Sequence, residues 1–429
     1  MHSARARRSF PCRSPPARTD VEPMRVLHIG KFYPPYAGGI ERSSADLCAA
    51  LATRAVDVAM LAHAAPGEHM RNYASDGVRV TLAACHGQLL YAPISPALPL
   101  LLNRLINEHQ PDLLHLHMPN VSAFWTLLSP AARRLPWVVH WHADVPLDVR
   151  RAGVRAMYRL YRPFEQALLR RARAVIATSA AYRDSSAALA PWRGKTTVIP
   201  LGLGDAGAAA NDTFANVESA ASHAIQGDRL WPGTDGASLR VLAVGRLSYY
   251  KGFDVLLRAI AQVPQANLLL IGSGECEAQL KALARELDIE ARVRFAGHID
   301  DATLAQAYAQ AQLFCLSSIE RTEAFGMVLL EAMRARLPVV ASAIAGSGVG
   351  YVVADGVSGI LVPSGDANAL AGALARMASD EDLRARLGTG GAQRWREEFT
   401  LDRCADRVLA LYRSIVPEAA YRAAAARQG

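Results

Sequence analysis

The chain has 429 residues, more than one hydrophobic core usually organises, so two domains of about 200 residues are expected. Half of the residues are hydrophobic, and no uninterrupted apolar run approaches the roughly 18 residues that a membrane-spanning helix needs. The formal net charge of +8 favours an acidic partner such as a nucleotide phosphate or an anionic lipid. No aromatic-basic repeat or nucleic-acid motif accompanies that charge, so a nucleic-acid partner is not expected.

The amino-terminal segment, residues 1–23, contains five arginines and no hydrophobic stretch, so it does not qualify as a secretory signal. We expect a disordered basic extension, and a mitochondrial-type targeting segment is the alternative. The six cysteines are scattered without a C-x-x-C pair, which is typical of a reducing compartment and of a protein without a zinc site. A cytoplasmic location is therefore expected.

Residues 24–202 alternate short β-branched runs with helical segments, which indicates a doubly wound α/β domain. A glycine loop and a helix over about 41–54 follow the first strand. The near-continuous apolar runs favour parallel strands that are covered on both faces. The predicted strands span residues 25–30, 57–61, 112–117, 137–142, 174–178 and 196–201.

One segment of this first domain is strongly basic. Eight arginines lie between Arg150 and Arg173 around Tyr158, Tyr161 and Phe164, and Glu165 is the single acid among them. This composition favours a helix that lies against anionic headgroups, at the inner face of the cytoplasmic membrane. The alternative is a solvated basic face on an ordinary helix.

Residues 203–238 lack periodicity and predict an interdomain linker, and a second series of strands and helices follows over 239–400. A last helix within 401–429 is long enough to cross back to the first domain. Two facing Rossmann-like domains create a cleft at the carboxyl ends of both sheets, where ligands bind in such folds. The predicted strands of the second domain span residues 239–245, 267–272, 293–296, 313–316, 338–341 and 359–362.

The pair Glu323 and Glu331 is the most informative motif, because fixed carboxylates are good acceptors for sugar hydroxyls. If the segment is helical throughout, the two residues lie about 12 Å apart at 1.5 Å per residue. Glu323 could then face a hexose and Glu331 the ribose of a sugar nucleotide. An ordinary amphipathic helix with solvated glutamates is the alternative.

Two cations, Arg246 and Lys251, fall in one loop after a predicted strand, where they could neutralise a departing diphosphate without a metal. Gly38 and Gly39 stand between a strand and a helix, and Gly272 follows another strand. Each would let backbone N–H groups approach a phosphate or nucleotide. Ordinary surface charges and ordinary glycine turns are the alternatives.

His140, His142 and Asp144 follow a strand at spacings that could suggest a metal. A metal site would require a further convergent ligand, so no metal is expected. His142 is a site candidate because it would face Glu323 across the cleft. The nearby pair His115 and His117 shares the strand-end position, but nothing else in the sequence singles it out.

The chain resembles the retaining GT-B glycosyltransferases of family GT4 over about residues 24–416. The resemblance rests on the ordered combination of Gly38, Gly39, His142, Arg246, Lys251, Glu323 and Glu331. It implies a GT-B fold and hexose transfer from a nucleotide-diphosphate sugar, with no cofactor and no metal. Arg246 and Lys251 would bind the donor diphosphate, and Glu331 the nucleotide ribose.

The same resemblance implies that Glu323 and the backbone around Phe325 and Gly326 bind the donor hexose. His142 would contact the sugar, and Gly38 and Gly39 would close over the phosphates. Residues 141–145 and 347–351 are similar to GT4 branches that build bacterial surface polysaccharides, which favours GDP-mannose as donor and a saccharide or lipid-linked saccharide as acceptor. The basic extension, the long linker and the glycine-rich loop 346–350 depart from the family pattern.

Three other functions stay open from the sequence. A sugar-nucleotide epimerase would change the donor without any acceptor, and a non-catalytic nucleotide-sugar binding protein would bind the donor without turnover. A nicotinamide dehydrogenase is disfavoured because the first β-α turn lacks G-x-G-x-x-G. For a transferase, alanine at Arg246, Lys251 or Glu323 is expected to abolish most transfer and to leave the fold intact.

Overall fold

The computed structural model describes residues 23–36, 38–89, 92–145, 152–205, 230–232 and 239–417, with only the backbone given over 152–156. The predicted extension over 1–22, most of the predicted linker and the last residues lie outside this described part. Strands fall at β1 (Met24–Phe32), β2 (Val56–His63), β3 (Arg71–Ser75), β4 (Val78–Ala83), β5 (Gln88–Leu89), β6 (Ala92–Pro93), β7 (Leu113–Met118), β8 (Trp137–Trp141), β9 (Ala174–Ala177), β10 (Thr196–Val198), β11 (Leu239–Val244), β12 (Ala266–Ile271), β13 (Val293–Gly297), β14 (Leu313–Leu316), β15 (Val339–Ala343) and β16 (Gly359–Pro363).

The α-helices in the described ranges are α1 (Gly39–Ala52), α2 (Leu98–His109), α3 (Trp125–Leu128), α4 (Ala152–Arg171), α5 (Ala180–Ser185), α6 (Phe253–Ala261), α7 (Glu277–Glu286), α8 (Asp301–Gln310), α9 (Met327–Arg334), α10 (Val349–Val352), α11 (Ala367–Ser379), α12 (Glu381–Glu398) and α13 (Leu401–Ile415). None of these helices is both long enough and apolar enough to cross a lipid bilayer.

Within the described residues, the strands form two large sheets. The first has the order β10-β9-β8-β7-β1-β2-β4-β3 and the second the order β13-β12-β11-β14-β15-β16. Their neighbours run parallel, except that the edge strand β3 is antiparallel to β4. The α/β class expected from the sequence is confirmed.

Helices cover both faces of each sheet, because the central strands carry apolar side chains on both sides. Strand β12, for example, is buried along its whole length. Every strand predicted from the sequence is present, with small differences at the ends. Strands β3 to β6 were not predicted. All residues of β3 but Ser75 are exposed, so the sequence gives that strand no hydrophobic pattern.

The last described helix, α13, packs on the first sheet although it follows the second domain in the chain. Its residues Val408, Leu409 and Tyr412 belong to the same buried cluster as Leu47 and Leu51 of α1. Arg54, just after α1, also pairs with Asp402 and Asp406 at 2.8 and 2.6 Å. The first domain is therefore completed by residues from the far end of the chain.

Helix α4, which carries the basic segment, contains one buried acid. Glu165 is fully buried; its Oε2 accepts a hydrogen bond from the Tyr158 hydroxyl at 2.9 Å, and its Oε1 has no hydrogen-bond partner in the described structure. Burial raises the pKa of Glu165 to about 7. The folded protein therefore holds a proton on this carboxyl at pH values where an unfolded chain releases it.

This proton predicts a specific pH dependence of stability. Because the folded pKa is raised, the contribution of protonated Glu165 is fully present below the unfolded pKa of about 4.5 and is lost as the pH rises through about 7. The free energy of unfolding should fall by about 1.4 kcal/mol per pH unit across this window from this group alone. Urea unfolding of wild type and Glu165→Gln at pH 5, 6, 7 and 8 should show a flatter profile for the variant. Parallel profiles would contradict the assignment.

Candidate functional site

A buried polar contact joins two loops of the second domain. Strands β11 and β14 are hydrogen-bonded neighbours, so the loops that follow them, 245–252 and 317–326, lie side by side. The Nζ atom of Lys251 lies 2.6 Å from Oε2 of Glu323, and the two side chains are only 9 and 10% exposed. Two predicted site residues thus form one buried ion pair.

Serine hydroxyls and backbone groups hold this pair in place. Ser318 donates to the same Oε2 of Glu323 at 2.9 Å, and Ser317 donates to the Lys251 carbonyl at 3.0 Å. The Ser347 hydroxyl donates to the carbonyl of Glu323 itself. Burial alone would lower the pKa of Lys251, but the Glu323 carboxylate holds that pKa above its ordinary value. Glu323 is therefore a fixed, charge-compensated acceptor.

The second predicted cation, Arg246, is in a different environment. Its side chain is 62% exposed and lies 3.3 Å from the exposed carboxylate of Glu275. Such a surface pair is worth about 0–1 kcal/mol, so Arg246 can exchange this partner for a phosphate at little cost. The charge of Lys251 is already balanced by Glu323, so Lys251 could stabilise a phosphate only in part. Arg246 can give its charge to a phosphate.

Gly272 has a packing role that the sequence did not indicate. Its φ is +134°, and a Cβ there would lie 2.0 Å from the carbonyl oxygen of Gly245. Glycine is thus required for the close approach of two loops at the ends of β11 and β12. A nucleotide contact at Gly272 stays a prediction.

The expectation of a continuous helix from Glu323 to Glu331 is wrong. Helix α9 begins at Met327, because Gly326 adopts a left-handed conformation with φ of 84° and ends the preceding loop. Glu323 therefore belongs to the loop and only Glu331 to the helix, so a helical rise of about 12 Å does not describe their separation. Phe325 packs its ring in the core at 3% exposure, and a contact of its backbone with the donor stays a prediction.

Glu331 accepts a hydrogen bond from the Tyr308 hydroxyl at 2.7 Å. Burial raises its pKa, while this hydrogen bond and the charges of Arg42 and Arg334 act in the opposite direction. Arg42 belongs to α1 of the first domain, so Glu331 lies where the two domains meet. A ribose contact there stays a prediction.

The glycine loop before α1 contains an unexpected carboxylate. A Cβ at Gly38 would lie 2.0 Å from Oε2 of Glu41, so the Glu41 side chain folds back onto the start of the helix. Gly39 has open space around it. An anion that binds at Gly38 and Gly39 must displace the Glu41 carboxylate, and phosphate binding there stays a prediction.

His142 belongs to a buried histidine cluster. Strands β1, β7 and β8 are adjacent, with His28 opposite His115 and His117 opposite His140. Because alternate residues of a strand share a face, these four side chains and His142 lie on one face of the sheet. The hydrogen bonds and ring contacts of His142 are with His117 and His140, inside the first domain. A contact with Glu323 is not among them.

The cluster also brings possible metal ligands together. The sequence offered no further convergent ligand for His140, His142 and Asp144, but the structure places His117 beside His140 and His142. Two groups of three buried histidines have ligand nitrogens within 4.8 Å of one another: His28, His115 and His117, and His117, His140 and His142. Neutral imidazoles of this kind would suit zinc or a similar borderline metal. The absence of a metal stays a prediction.

The two domains are joined directly beside the site. Arg321, two residues before Glu323, contacts Asp144 of the first domain at 2.6 Å and the Ser185 hydroxyl at 2.9 Å. The same Ser185 hydroxyl donates to the Gly346 carbonyl at 2.8 Å. A cavity of about 1040 Å³ adjoins this bridge, and residues of α4, including Arg159 and Arg162, line its other side. The cavity thus has walls from both domains.

Sequence reasoning missed the residues that support the site. Ser317 and Ser318 directly follow β14, and that strand-end position could have marked them. Tyr308, Arg321 and Ser347 contact predicted residues from distant parts of the chain, and nothing local distinguishes them. Their roles depend on the tertiary fold.

Family profiles match both halves of the chain. The profile "Glycosyl transferase 4-like domain" covers residues 38–202, and "Glycosyl transferases group 1" covers residues 232–394. The chain is 28% identical over 395 residues to O-antigen chain mannosyltransferase C of Escherichia coli, which covers 92% of this chain and 99% of the relative. It is 30% identical over 400 residues to a phosphatidyl-myo-inositol mannosyltransferase of Mycobacterium leprae, which covers 91 and 97%.

Solved structures agree with the observed architecture. Sucrose-phosphate synthase from Thermosynechococcus elongatus superposes with a TM-score of 0.72 and 25% identity, over 91% of this chain and 99% of that protein. This similarity confirms the expected GT-B arrangement of two Rossmann-like domains.

Removing one member of the Lys251–Glu323 pair should destabilise the protein, because the other charge stays buried without a partner. Lys251→Met and Glu323→Gln are each expected to lower the free energy of unfolding by about 3–5 kcal/mol. The double variant should lose less than the sum of the two. Urea unfolding followed by circular dichroism measures this.

Arg246→Ala is the matched control, because its surface pair should change stability by less than about 1 kcal/mol. Single variants at Lys251 and Glu323 as stable as wild type would contradict the pairing. We therefore expect alanine at Arg246 to leave the fold intact, and alanine at Lys251 or Glu323 to destabilise it.

Proposed function

The chain belongs to the glycosyl transferases group 1 family, and on that premise we propose that it is a retaining, metal-independent hexosyltransferase. The donor proposed is GDP-mannose, and the acceptor a saccharide or lipid-linked saccharide of surface polysaccharide biosynthesis. The proposal rests on the fixed Glu323 carboxylate. This carboxylate pairs with Lys251, which lies in the same loop as Arg246. The names of the Escherichia coli and Mycobacterium leprae relatives support mannose as the sugar.

In the proposed reaction, the bond between the sugar anomeric carbon and the diphosphate oxygen breaks, and a bond to the acceptor hydroxyl oxygen forms on the same face. The acceptor proton passes to the departing phosphate oxygen. Negative charge develops on the diphosphate, and preorganised cations stabilise it. Arg246 is suited to this role because its surface partner is weakly held.

Glu323 orients the donor by accepting a hydrogen bond from a sugar hydroxyl. Its Oε2 is engaged by Lys251 and Ser318, so the carboxylate cannot rotate freely and its position is set before the donor arrives. Glu331, which lies where the two domains meet, would bind the ribose of the donor. His142 would contact the donor hexose. The backbone at Gly38, Gly39, Gly272, Phe325 and Gly326 would complete the donor pocket.

The decisive experiment compares donors and follows the product. Purified protein in EDTA is screened against GDP-mannose, UDP-glucose and UDP-galactose by thermal shift, since a bound donor raises apparent stability. GDP-mannose should raise the melting temperature most. With a mannose-terminated lipid acceptor, transfer should give a product whose anomeric configuration, read by NMR, matches that of the donor.

The matched variants separate binding from chemistry. Glu323→Gln, assayed below its melting temperature, should lower kcat by about 100-fold or more, and Arg246→Ala should lose transfer while keeping wild-type stability. A changed free sugar nucleotide without acceptor would indicate an epimerase, and binding without turnover would indicate a binding protein. An inverted product or a requirement for an added metal would overturn the mechanism.

We also propose that the protein associates with an anionic membrane surface through α4. Met157, Leu160 and Phe164 expose 44, 68 and 51% of their surface. Arg159 and Arg162 are exposed on the same helix. Apolar side chains with interspersed arginines suit the headgroup boundary of an anionic bilayer. The cavity beside Arg159 and Arg162 would then open near the membrane, where a lipid-linked acceptor resides.

Vesicle co-sedimentation tests this surface. Binding to vesicles that contain phosphatidylglycerol should exceed binding to phosphatidylcholine vesicles, and it should fall at high salt because surface charges are screened. A Leu160→Ser/Phe164→Ser variant should lose most of this binding. Leu100→Ser on α2 is the control, since Leu100 is 75% exposed and belongs to another helix. Equal binding by both variants would refute the role of α4.

A further inference from the structure

The histidine cluster contains two hydrogen-bonded chains that start from one tyrosine. In the first, the Tyr412 hydroxyl contacts Nε2 of His28 at 3.4 Å, Nδ1 of His28 contacts Nε2 of His117 at 3.0 Å, and Nδ1 of His117 contacts Nε2 of His142 at 3.0 Å. The remaining nitrogen, Nδ1 of His142, is buried and has no hydrogen-bond partner among the described residues.

The second chain is shorter. The Tyr412 hydroxyl also contacts Nδ1 of His115, and Nε2 of His115 lies 3.3 Å from Nδ1 of His140. Its terminal nitrogen, Nε2 of His140, is likewise buried and unpartnered in the described structure. The rings of His140 and His142 stack at 4.1 Å, so the two chain ends are neighbours.

Every ring in these chains carries one ring proton. Burial lowers the pKa of His28 and His142 to about 3, and it holds the pKa of the other three histidines well below the ordinary value. A neutral imidazole has one N–H donor and one nitrogen acceptor. The position of the proton on one ring therefore dictates its position on the next.

Ser44 of α1 sets the direction of the chains. Its hydroxyl lies 2.6 Å from the Ile40 carbonyl, which can only accept, so the single Ser44 proton is committed there. The Ser44 oxygen is also 3.2 Å from Nδ1 of His117 and must accept from it. Nδ1 of His117 therefore carries the proton, and Nε2 of His142 accepts from it as well.

The remaining protons follow from this one. His117 accepts at Nε2 from Nδ1–H of His28, and His28 accepts at Nε2 from the Tyr412 hydroxyl. The Tyr412 oxygen then accepts from Nδ1–H of His115, and His115 accepts at Nε2 from Nδ1–H of His140. One arrangement satisfies every contact, and it leaves a donor at His142 Nδ1 and an acceptor at His140 Nε2.

We infer that the buried hydroxyl of Ser44, acting through His117, fixes His142 as its Nδ1–H tautomer, so that this nitrogen can only donate a hydrogen bond. Ser44 is thus a positioning residue, and Tyr412, on the helix that crosses back from the second domain, carries the same proton order from His28 to His115. If His142 contacts the donor sugar, as the proposed function holds, it contacts an oxygen as a donor. That consequence rests on the proposed function, whereas the tautomer does not.

The tautomer is measurable without substrate or turnover. Two-dimensional NMR of EDTA-treated protein with ¹⁵N-labelled histidine distinguishes a protonated ring nitrogen from an unprotonated one, and His142→Asn identifies the His142 signals. Wild type should show a protonated Nδ1 and an unprotonated Nε2 for His142. A protonated Nε2, or a charged ring near pH 7, would overturn the inference.

Tyr412→Phe tests the long-range coupling. It leaves the Ser44 constraint on His117 in place, so Nδ1 of His142 should stay protonated while the His28 and His115 signals change. Ser44→Ala removes the oxygen to which Nδ1 of His117 donates, so both proton orders become possible and the His142 signals should shift towards a mixture of tautomers. Tyr161→Phe is the matched control, because the buried Tyr161 hydroxyl has no partner among the described residues. It should leave the His142 signals unchanged.

Activity gives an independent measurement. Ser44→Ala should lower kcat about fivefold, the effect of about 1 kcal/mol, with the KM for the acceptor unchanged. Melting curves establish that the variants are folded, and the wild-type spectrum decides the tautomer even if they are not. His142 signals that do not respond to Ser44→Ala in folded protein would refute the coupling. A shift of these signals on adding Zn²⁺ to wild type at one equivalent would instead indicate a metal site and would also refute it.

Discussion

The buried ion pair between Lys251 and Glu323 is the constraint on which the candidate site depends. Taking two charges out of water is unfavourable, and a hydrophobic pair of similar size would often be as stable. The pair is therefore better understood by what it positions than by what it contributes to folding. It places a carboxylate at a defined point of the cleft, where Ser318 also donates to it and Ser317 holds the backbone of Lys251.

That position follows from sheet topology. Lys251 and Glu323 are 72 residues apart in sequence, and they meet because β11 and β14 are neighbours in the second sheet. Carboxyl ends of parallel strands share one edge, so loops from distant sequence segments converge there. The ion pair between Arg321 and Asp144 links this edge of the second sheet to the first domain. The site therefore depends on how the two domains are placed against each other.

The sequence predicted much of this architecture because its signals are local. Continuous apolar runs mark buried parallel strands, and the loop that carries Arg246 and Lys251 is evident from its place after such a run. The start of α9 was missed, since the sequence does not reveal that Gly326 takes a left-handed conformation. The histidine cluster was missed because it requires the register between β1, β7 and β8. Which residues contact across the cleft is likewise set by tertiary packing.

The packing of α13 on the first sheet has a consequence for biosynthesis. Domains made on the ribosome generally fold in the order in which they emerge. Here the face of the first sheet that carries the histidines is covered in part by Tyr412, which is translated only after the entire second domain. Until α13 has been synthesised, this face of the amino-terminal domain stays incompletely covered. Folding of the first domain is therefore completed only after the second domain has been translated.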